Sequence, residues 1–243
     1  MIPKTIHYCW FGRGDKPHLI RKCIASWRRT MPDYEIKEWN EDNFDVNINP
    51  FVQQAYIEKK WAFVADVCRF YACYTEGGIY LDTDVEVFKS FDCFLDNSFF
   101  SGIEYQEGAA EYRLSIDASV FGCIKHNEFA KECLEYYNDK PFRNEINQIT
   151  GGTVQAVATI IGHKYGFKKE NTNQQLNNGA RIFNTDYFCN LTNRNISKSI
   201  YSLHHFDGSW STEERGKLFQ FCRKHDLLHI YRAIERVIHK IHK

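Results

Sequence analysis

The chain centres on Gly77-Gly78-Ile79-Tyr80-Leu81-Asp82-Thr83-Asp84-Val85, a β-prone run with two glycines before it and two carboxylates in its second half. The glycines predict the end of a helix, because glycine adopts the left-handed conformation that closes a helix. The run Ile79 to Leu81 predicts a buried strand, which places Asp82 at its carboxyl end. In open α/β sheets, ligands bind at that edge.

The two carboxylates of this segment predict a cation site. Asp82 and Asp84 point to the same side of the backbone if the chain stays extended, because strand side chains alternate between faces. Clustered carboxylate oxygens suit Mg²⁺ or Mn²⁺, which often bridge to the phosphates of a nucleotide. An Asp-x-Asp pair taken alone favours a plainer interpretation, a polar turn after a strand. The preceding helix changes that balance.

A helix predicted from about Lys60 to Glu76 is apolar nearly all round, which is typical of a buried helix. Its middle carries two charges, Asp66 and Arg69, which are neighbours on the helix surface. A buried ion pair is the structural explanation, although such pairs often add little net stability. A ligand that offers phosphate and sugar hydroxyl groups explains the two charges better, because arginine forks onto phosphate oxygens.

Strands and helices alternate through the first part of the chain, which predicts an α/β fold with a mostly parallel sheet between helices. The predicted early elements are strand 5–11, helix 17–27, strand 34–39, helix 50–59, helix 60–76 and strand 79–81. The predicted later elements are strands 98–103, 116–124 and 180–184, a helix at 128–138, and a polar loop at 167–178. Thr150 is the predicted N-cap of a further helix that ends near 161, with Gly151-Gly152 in its first turn.

Composition narrows the class of protein. The 243 residues fit one large domain, or one domain with a small appendage. The 31 basic and 31 acidic residues balance, which argues against a nucleic-acid partner. No apolar run is long enough for a transmembrane helix, and the first residues lack the core of a signal peptide. Nine cysteines without a Cys-x-x-Cys pair are expected to be reduced thiols of a cytoplasmic protein.

Two segments near the carboxyl end add further expectations. The adjacent histidines of His204-His205-Phe206-Asp207-Gly208-Ser209-Trp210 suggest a third metal ligand from a distant part of the chain. We expect a catalytic domain at 1–212 and a basic amphipathic helical tail at 213–243. An apolar stripe from Leu227 to Ile241 faces a basic side in that tail. This pattern fits an anionic membrane surface, but equally a helix packed on its own domain or on a second copy.

Taken together, four segments resemble bacterial glycosyltransferases of family 32. This family has the sugar-binding Asp-x-Asp region found in capsular polysaccharide clusters and in yeast mannosyltransferases. The chain is more distantly similar to the glucosyltransferase domains of large clostridial toxins. The matching segments are 2–12, 62–69, 77–85 and 204–210, in that order along the chain. The resemblance implies a GT-A fold, a nucleotide-sugar donor, a divalent metal ion, and transfer with retention at the anomeric carbon.

The resemblance also implies which residues bind the donor. Trp10 matches the aromatic residue that stacks on the donor base. Asp66 and Arg69 match the pair that contacts the donor sugar and phosphates, and Tyr80 matches a tyrosine on the donor side. Trp210 stands where a tryptophan closes over the diphosphate.

Metal binding and catalysis are implied for a second set of residues. Asp82 matches the first motif carboxylate, near the ribose and sugar, and Asp84 matches the direct metal ligand. His205 falls where related enzymes place a metal or phosphate ligand. A metal on Asp84 and His205, together with Arg69, would stabilise the leaving diphosphate. Asp117 is the candidate carboxylate beside the oxocarbenium-like sugar.

The expected reaction moves a hexose from a nucleotide sugar, expected to be a UDP-sugar, to a glycan acceptor. A lipid-linked acceptor in capsule or other surface polysaccharide synthesis is expected, with the enzyme peripheral on the inner face of the plasma membrane. A protein acceptor, a metal-dependent nucleotide-sugar hydrolase and a binding module without turnover are the alternatives. Two departures from the family pattern, Gly152 in place of proline and Asp117 in place of asparagine, concern the sugar and acceptor side.

Overall fold

A seven-stranded sheet forms the centre of the protein, and a three-stranded sheet lies beside it. The structure, a computed structural model, describes residues 1–106, 113–190, 200–207, 221, 222 and 231. The strands are β1 Thr5–Cys9, β2 Glu35–Trp39, β3 Gly78–Leu81, β4 Val85–Val87, β5 Phe99–Gln106, β6 Arg113–Cys123, β7 Gln174–Gln175, β8 Arg181–Phe183, β9 Phe188–Asn190 and β10 Ser202–His204. The helices are α1 His18–Thr30, α2 Pro50–Ile57, α3 Trp61–Glu76, α4 Glu128–Glu135 and α5 Val154–Lys164, with a 3₁₀ turn at Asp92–Phe94.

The large sheet is mixed, and five of its seven strands point the same way. Its order is β2-β1-β3-β6-β5-β8-β7. The pairs β1–β2, β1–β3 and β5–β8 are parallel, whereas β6 is antiparallel to both of its neighbours and β7 is antiparallel to β8. The predicted α/β class with a mostly parallel sheet is therefore confirmed, with an antiparallel strand near its middle.

Apolar layers cover both faces of the sheet. One layer joins α2, α3, α4 and α5 to the sheet through residues such as Phe51, Val64 and Phe121. The other joins α1 and β4 to the opposite face through residues such as Trp27, Val85 and Phe94. Eight of the 16 residues of α3 are buried and none is exposed, as its all-round apolar sequence predicts.

The junction between α3 and β3 depends on both glycines. Gly77 has φ +72° and ends the helix, and Gly78, the first residue of β3, has φ +119°. A Cβ on Gly78 would lie 2.7 Å from the backbone oxygen of Thr5. Only glycine fits such a left-handed and crowded position, so these residues allow β3 to pair with β1 directly after the helix.

The predicted start of the helix α5 is wrong. Thr153, rather than Thr150, is the N-cap of α5, because its side chain accepts a hydrogen bond from the amide of Ala156. The hydroxyl of Thr150 instead donates to the carbonyl of Pro141. Gly151 and Gly152 therefore precede the helix and are not in its first turn. Two threonines three residues apart can each serve as an N-cap, so the sequence did not distinguish them.

Further features concern the small sheet, the cysteines and the carboxyl-terminal tail. The small sheet, in the order β4-β10-β9, was not predicted, because strands of three residues give too short a pattern to read. The eight cysteines whose side chains are described are free thiols, as expected. The predicted tail at 213–243 lies outside the described residues except for 221, 222 and 231. Among the described residues, no helix is long and apolar enough to cross a membrane.

Candidate functional site

The carboxyl ends of two neighbouring strands bring the first site residues together. β1 and β3 are adjacent and parallel, with Ile6 opposite Ile79 and His7 opposite Tyr80. Trp10 directly follows β1, and Asp82 directly follows β3. Because parallel neighbours end at the same edge of a sheet, both residues lie at the edge where α/β proteins bind ligands.

Asp82 and Asp84 lie in a tight turn and not in an extended strand. The amide of Val85 donates to the carbonyl of Asp82 at 3.0 Å, which closes the turn, and the amide of Asp82 donates to the carbonyl of Ser119 at 2.8 Å. The backbone is therefore not extended here, so strand alternation is not what brings the two carboxylates together. The two carboxylates still converge, because ligand atoms of Asp82, Asp84 and His204 all lie within 4.8 Å of one another.

Asp84 is the residue on which the segment His204–Asp207 closes. His204 Nε2 lies 3.3 Å from Asp84 Oδ1, and the amide of Asp207 donates to Asp84 Oδ2 at 2.7 Å. The amide of His205 donates to the carbonyl of Asp84 at 3.0 Å. Phe206 has φ +51°, and its ring stacks on that of His204 with centroids 4.0 Å apart. This curved backbone delivers a side chain and an amide to the same carboxylate.

The structure brings His204, and not His205, to Asp84. His204 is the last residue of β10 and pairs with Val85 of β4. The side chain of His205 points elsewhere, with Nε2 2.9 Å from Glu86 Oε2, and Glu86 also binds Lys22 Nζ at 3.0 Å. Neighbouring residues at the end of a strand point to opposite sides, so of the two histidines it is His204 whose side chain lies beside Asp84.

His204 and Asp84 form an ion pair at neutral pH. Burial lowers the pKa of His204, but the nearby carboxylates of Asp84, Asp82 and Asp117 outweigh burial and raise this pKa to about 9. Burial opposes ionisation of Asp84, yet the His204 charge and the amide of Asp207 hold the pKa of Asp84 well below its usual range. A metal cation on His204 would have to displace its proton.

Arg69 connects the helix α3 to the first motif carboxylate. Its Nη2 lies 2.7 Å from Asp66 Oδ1, and its Nη1 lies 3.2 Å from Asp82 Oδ1 and donates to the carbonyl of Ala118 at 2.8 Å. Its guanidinium also covers the ring of Tyr80 at 4.7 Å. Asp66 and Arg69 are thus the buried ion pair that the sequence allowed, extended by one carboxylate to the sheet edge.

Burial changes the pKa of one carboxylate beside Arg69. Burial raises the pKa of Asp66 to about 6, and Arg69 opposes that shift. The hydroxyl of Tyr80 donates a hydrogen bond to Asp82 Oδ1 at 2.8 Å, and Arg69 Nη1 lies 3.2 Å from the same oxygen. Asp82 is therefore held in one orientation before any ligand arrives.

Asp117 lies near this group on β6, and its side chain is buried. Both the amide and the hydroxyl of Ser119 donate to Asp117 Oδ1 at 2.7 Å. Burial raises the pKa of Asp117, while the charge of His204 lowers it. The structure thus places this predicted carboxylate in the electrostatic surroundings of Asp82 and His204.

Trp10 borders a polar cleft of about 230 Å³ at the ends of β1 and β2. Its indole Nε1 donates to the carbonyl of Gly14 at 2.7 Å, and Lys16 Nζ lies 5.3 Å from the centre of its ring. Glu38 and Glu41 line the same cleft. An aromatic ring beside a mixed-charge cleft can receive the flat ring of a ligand. Trp210, predicted to close over a diphosphate, lies outside the described residues.

The donor set of Asp82, Asp84 and His204 fits a divalent cation. Two carboxylates and one imidazole are ligands that Mn²⁺ accepts, and the carboxylates also suit Mg²⁺. The sequence indicated a ligand among the two adjacent histidines, and the resemblance favoured His205 over His204. The period-two pattern of Ser202, Leu203 and His204 is the signal that could have distinguished them, because the strand directs residue 204 and residue 205 to different sides.

Comparisons with known proteins agree with this chemistry. Residues 17–101 match a family model described as a glycosyltransferase sugar-binding region containing the DXD motif. An uncharacterized glycosyltransferase of Acanthamoeba polyphaga mimivirus is 26% identical over 182 residues, which are 68% of this chain and 72% of the viral protein. These two findings support a glycosyltransferase family.

Two solved glycosyltransferase structures match parts of this chain at low identity. The PaToxG glycosyltransferase is 18% identical, with a TM-score of 0.48 over 67% of this chain and 69% of the other. A glycosyltransferase involved in the glycosylation of the major capsid of PBCV-1 is 16% identical, with a TM-score of 0.47 over 82% of this chain and 92% of the other.

Proposed function

We propose that this protein transfers a hexose from a nucleotide-sugar donor to an acceptor, with retention of configuration at the anomeric carbon. The convergence of Asp82, Asp84 and His204 at the sheet edge carries this proposal. Both aspartates fall inside the segment that matches the DXD family model. A nucleoside diphosphate gains negative charge as its bond to the sugar breaks and needs positive charge nearby. The carboxylates of this cluster can bind a cation that supplies it.

The proposed metal ion is Mn²⁺ or Mg²⁺, held by Asp82, Asp84 and His204. When bound, such an ion acts as a Lewis acid on the diphosphate oxygens of the leaving group. Asp84 is already oriented for this role, because the amide of Asp207 fixes one of its oxygens and His204 lies beside the other.

Four other side chains take the remaining donor-binding and catalytic roles. Trp10 stacks on the donor base, and the cleft beside it accepts the base edge. Arg69 holds Asp82 in place through its 3.2 Å contact and adds positive charge beside the diphosphate. Asp66, which lies 2.7 Å from Arg69, is assigned to the donor sugar. Asp117 supplies negative charge where the anomeric carbon becomes oxocarbenium-like.

We infer the acceptor and cellular place from the sequence. The likeness of the four segments to family 32, and more distantly to the toxin glucosyltransferase domains, supports a UDP-sugar donor and a sugar acceptor. The basic pattern of 213–243 supports a lipid-linked glycan on the inner face of the plasma membrane, as in capsule or other surface polysaccharide synthesis. The proposed enzyme is cytoplasmic and peripheral on that membrane.

A donor screen tests the proposal. The protein is mixed with UDP-, GDP-, CDP- and dTDP-sugars, with Mn²⁺, with Mg²⁺ or with EDTA, and its melting temperature is measured. We expect one nucleotide class to stabilise the protein only when metal is present, because a ligand that binds the folded state raises its stability. The protein is then incubated with the nucleotide sugar and metal that stabilise it and with glycan acceptors, and the products are analysed by mass spectrometry.

The outcomes of this screen separate the candidate functions. A glycosylated acceptor with the anomeric configuration of the donor supports the proposal. Release of free sugar whatever acceptor is present supports a hydrolase instead, and stabilisation without any product supports a binding module. Equal stabilisation in EDTA would overturn the metal site.

A further inference from the structure

The strand β6 leaves its regular pairing at the candidate site. Along β5, Ser101 is opposite Phe121, and Ile103 is opposite Ile116. Four residues of β6, 117–120, are therefore accommodated opposite the single residue Gly102 of β5. Extra residues in one strand bend it and redirect its side chains, and such irregularities are common beside active sites.

Contacts from three neighbouring elements hold this bulge in one shape. The buried hydroxyl of Ser101 on β5 lies 2.5 Å from the carbonyl oxygen of Asp117 and 3.1 Å from that of Val120. On α5, Thr159 Oγ accepts a hydrogen bond from the amide of Ile116 at 2.9 Å. On α3, Arg69 donates to the carbonyl of Ala118 at 2.8 Å. Backbone groups freed by the irregular pairing are thus satisfied, which makes the bulge rigid.

Ser119, inside the bulge, touches two of the site carboxylate residues. Its side chain is fully buried. Its amide and its hydroxyl both donate to Asp117 Oδ1 at 2.7 Å. Its carbonyl accepts a hydrogen bond from the amide of Asp82 at 2.8 Å. One residue therefore fixes the carboxylate of Asp117 relative to the backbone of the metal-binding turn.

We propose that Ser119 is a positioning residue for catalysis, which acts through Asp117 and sets its spacing from Asp82. The inference rests on the proposed function, in which Asp117 faces the anomeric carbon. Two charge-assisted hydrogen bonds to one oxygen fix the carboxylate more firmly than a single bond would. A reacting group that is displaced by about 1 Å can lose about a hundredfold in rate.

The substitution Ser119→Ala separates the two contacts. It removes the hydroxyl bond to Asp117 and keeps the backbone bond to Asp82. We therefore expect kcat to fall by about tenfold, with the KM for the donor and the affinity for Mn²⁺ changed by less than about threefold. A merely structural serine would lower stability without this separation of kcat from KM.

A double-mutant cycle tests whether the effect acts through Asp117. In the Asp117→Ala background, Ser119→Ala should lower kcat no further, because the group that it positions is gone. Ser26→Ala is the matched control, since Ser26 is a buried serine whose hydroxyl donates to Cys23 and accepts from the amide of Val87. This control should cost stability and leave kcat unchanged.

Clear results would overturn the inference. A Ser119→Ala enzyme with wild-type kcat would do so, as would an equal additional loss of kcat in the Asp117→Ala background. If Ser119→Ala does not fold, Ser119→Cys keeps the size with a weaker donor and should give an intermediate kcat.

The inference and the proposed function can fail separately. If the wild-type protein binds a nucleotide sugar without turnover, the proposed function fails. The same cycle, measured on the affinity for a cationic, oxocarbenium-like sugar analogue added with the nucleoside diphosphate, then decides the role of Ser119. Equal affinity of Ser119→Ala and wild type for this analogue would overturn it.

Discussion

At the scale of single residues, the two adjacent histidines show how one position changes a site. His204 lies 3.3 Å from Asp84, whereas His205 lies 2.9 Å from Glu86. Both are imidazoles in the same segment, but the strand directs them to different sides. One belongs to the candidate metal site, and the other ties the segment to β4.

These histidines make a matched pair of variants. We expect His204→Ala to weaken Mn²⁺ binding by more than about tenfold. Even the loss of a residue that only hydrogen-bonds to a metal ligand commonly lowers metal affinity by about tenfold or more, and His204 is a ligand in the proposed site. His205→Ala should bind Mn²⁺ with nearly wild-type affinity and lose only stability. Titration of free Mn²⁺ by electron paramagnetic resonance measures both affinities. The reverse order of the two variants would restore His205 as the ligand.

Asp84 accepts the amide of Asp207 at one oxygen and lies beside His204 at the other. Asp84→Asn keeps the shape and an acceptor for the amide of Asp207, but it removes the charge. We expect no metal-dependent binding of the nucleotide sugar and no transfer, with the fold retained. Calorimetric titration with and without Mn²⁺ checks this, and circular dichroism checks the fold. Undiminished transfer in this variant would exclude Asp84 as a metal ligand.

Trp10 is expected to act on binding more than on turnover. Removing the ring in Trp10→Ala should weaken nucleoside diphosphate affinity by about tenfold, since stacking of a base on an aromatic ring is worth about 1–3 kcal/mol. The kcat at saturating donor should change much less, because the ring lies away from the breaking bond. Equal affinity of mutant and wild type for the free nucleotide would make Trp10 a structural residue only.

At the scale of elements, the α3–β3 junction delivers Asp82 to the sheet edge. Gly78→Ala would place a Cβ 2.7 Å from the carbonyl oxygen of Thr5 and 2.8 Å from His7 Nε2, at φ +119°. We expect a loss of at least about 2 kcal/mol in the free energy of unfolding, because backbone strain of about 1–3 kcal/mol adds to the clash.

A second glycine controls for the loss of flexibility. Gly14 has nothing within 4 Å of an added Cβ. Gly14→Ala should therefore change the free energy of unfolding by less than about 0.5 kcal/mol, which is usual for surface positions. Urea unfolding measures both variants. Similar stability of Gly78→Ala and wild type would mean that the junction relaxes and that the glycine is dispensable.

At the scale of the whole molecule, the sheet separates two apolar layers and carries the candidate site along one edge. The residues of the candidate site belong to β1, β3, β6 and β10 or directly follow them, and these strands are far apart in sequence. The last of them, β10, belongs to the small sheet. Loss of any one of these strands would separate residues that, in the proposed function, act on one ligand. The candidate site therefore depends on the fold as a unit.

The basic tail gives a prediction at this same scale, from its sequence alone. Truncation after Phe221 should abolish binding to anionic liposomes and leave donor hydrolysis unchanged. Residues 215–243 carry eight Lys and Arg against two acids. Each basic residue near an anionic surface contributes about 1 kcal/mol, and salt screens that attraction. Flotation with anionic and neutral liposomes at low and high salt measures it.

The opposite result would assign the tail to the protein itself. If the full-length protein does not bind anionic liposomes and the truncated form precipitates, the apolar stripe covers the catalytic domain or a second copy. The membrane proposal would then be wrong.

Local pattern was enough for much of this protein. The alternation of strand and helix, the buried α3 and the carboxylates after β3 follow from residues close together in the chain, because periodicity and glycine conformation act over a few positions. The charge pair Asp66 and Arg69 was found in the same way. Its extension to Asp82 required the packing of α3 against the sheet.

The remaining features depended on contacts between distant segments. The antiparallel direction of β6, its bulge at 117–120 and the contacts of Ser119 come from pairing with β5 and contacts with α3 and α5. The choice of His204 over His205 depended on the register of β10 against β4. Register and strand direction are set by the burial of whole faces and by the path of the connections, and no short pattern in the chain records them.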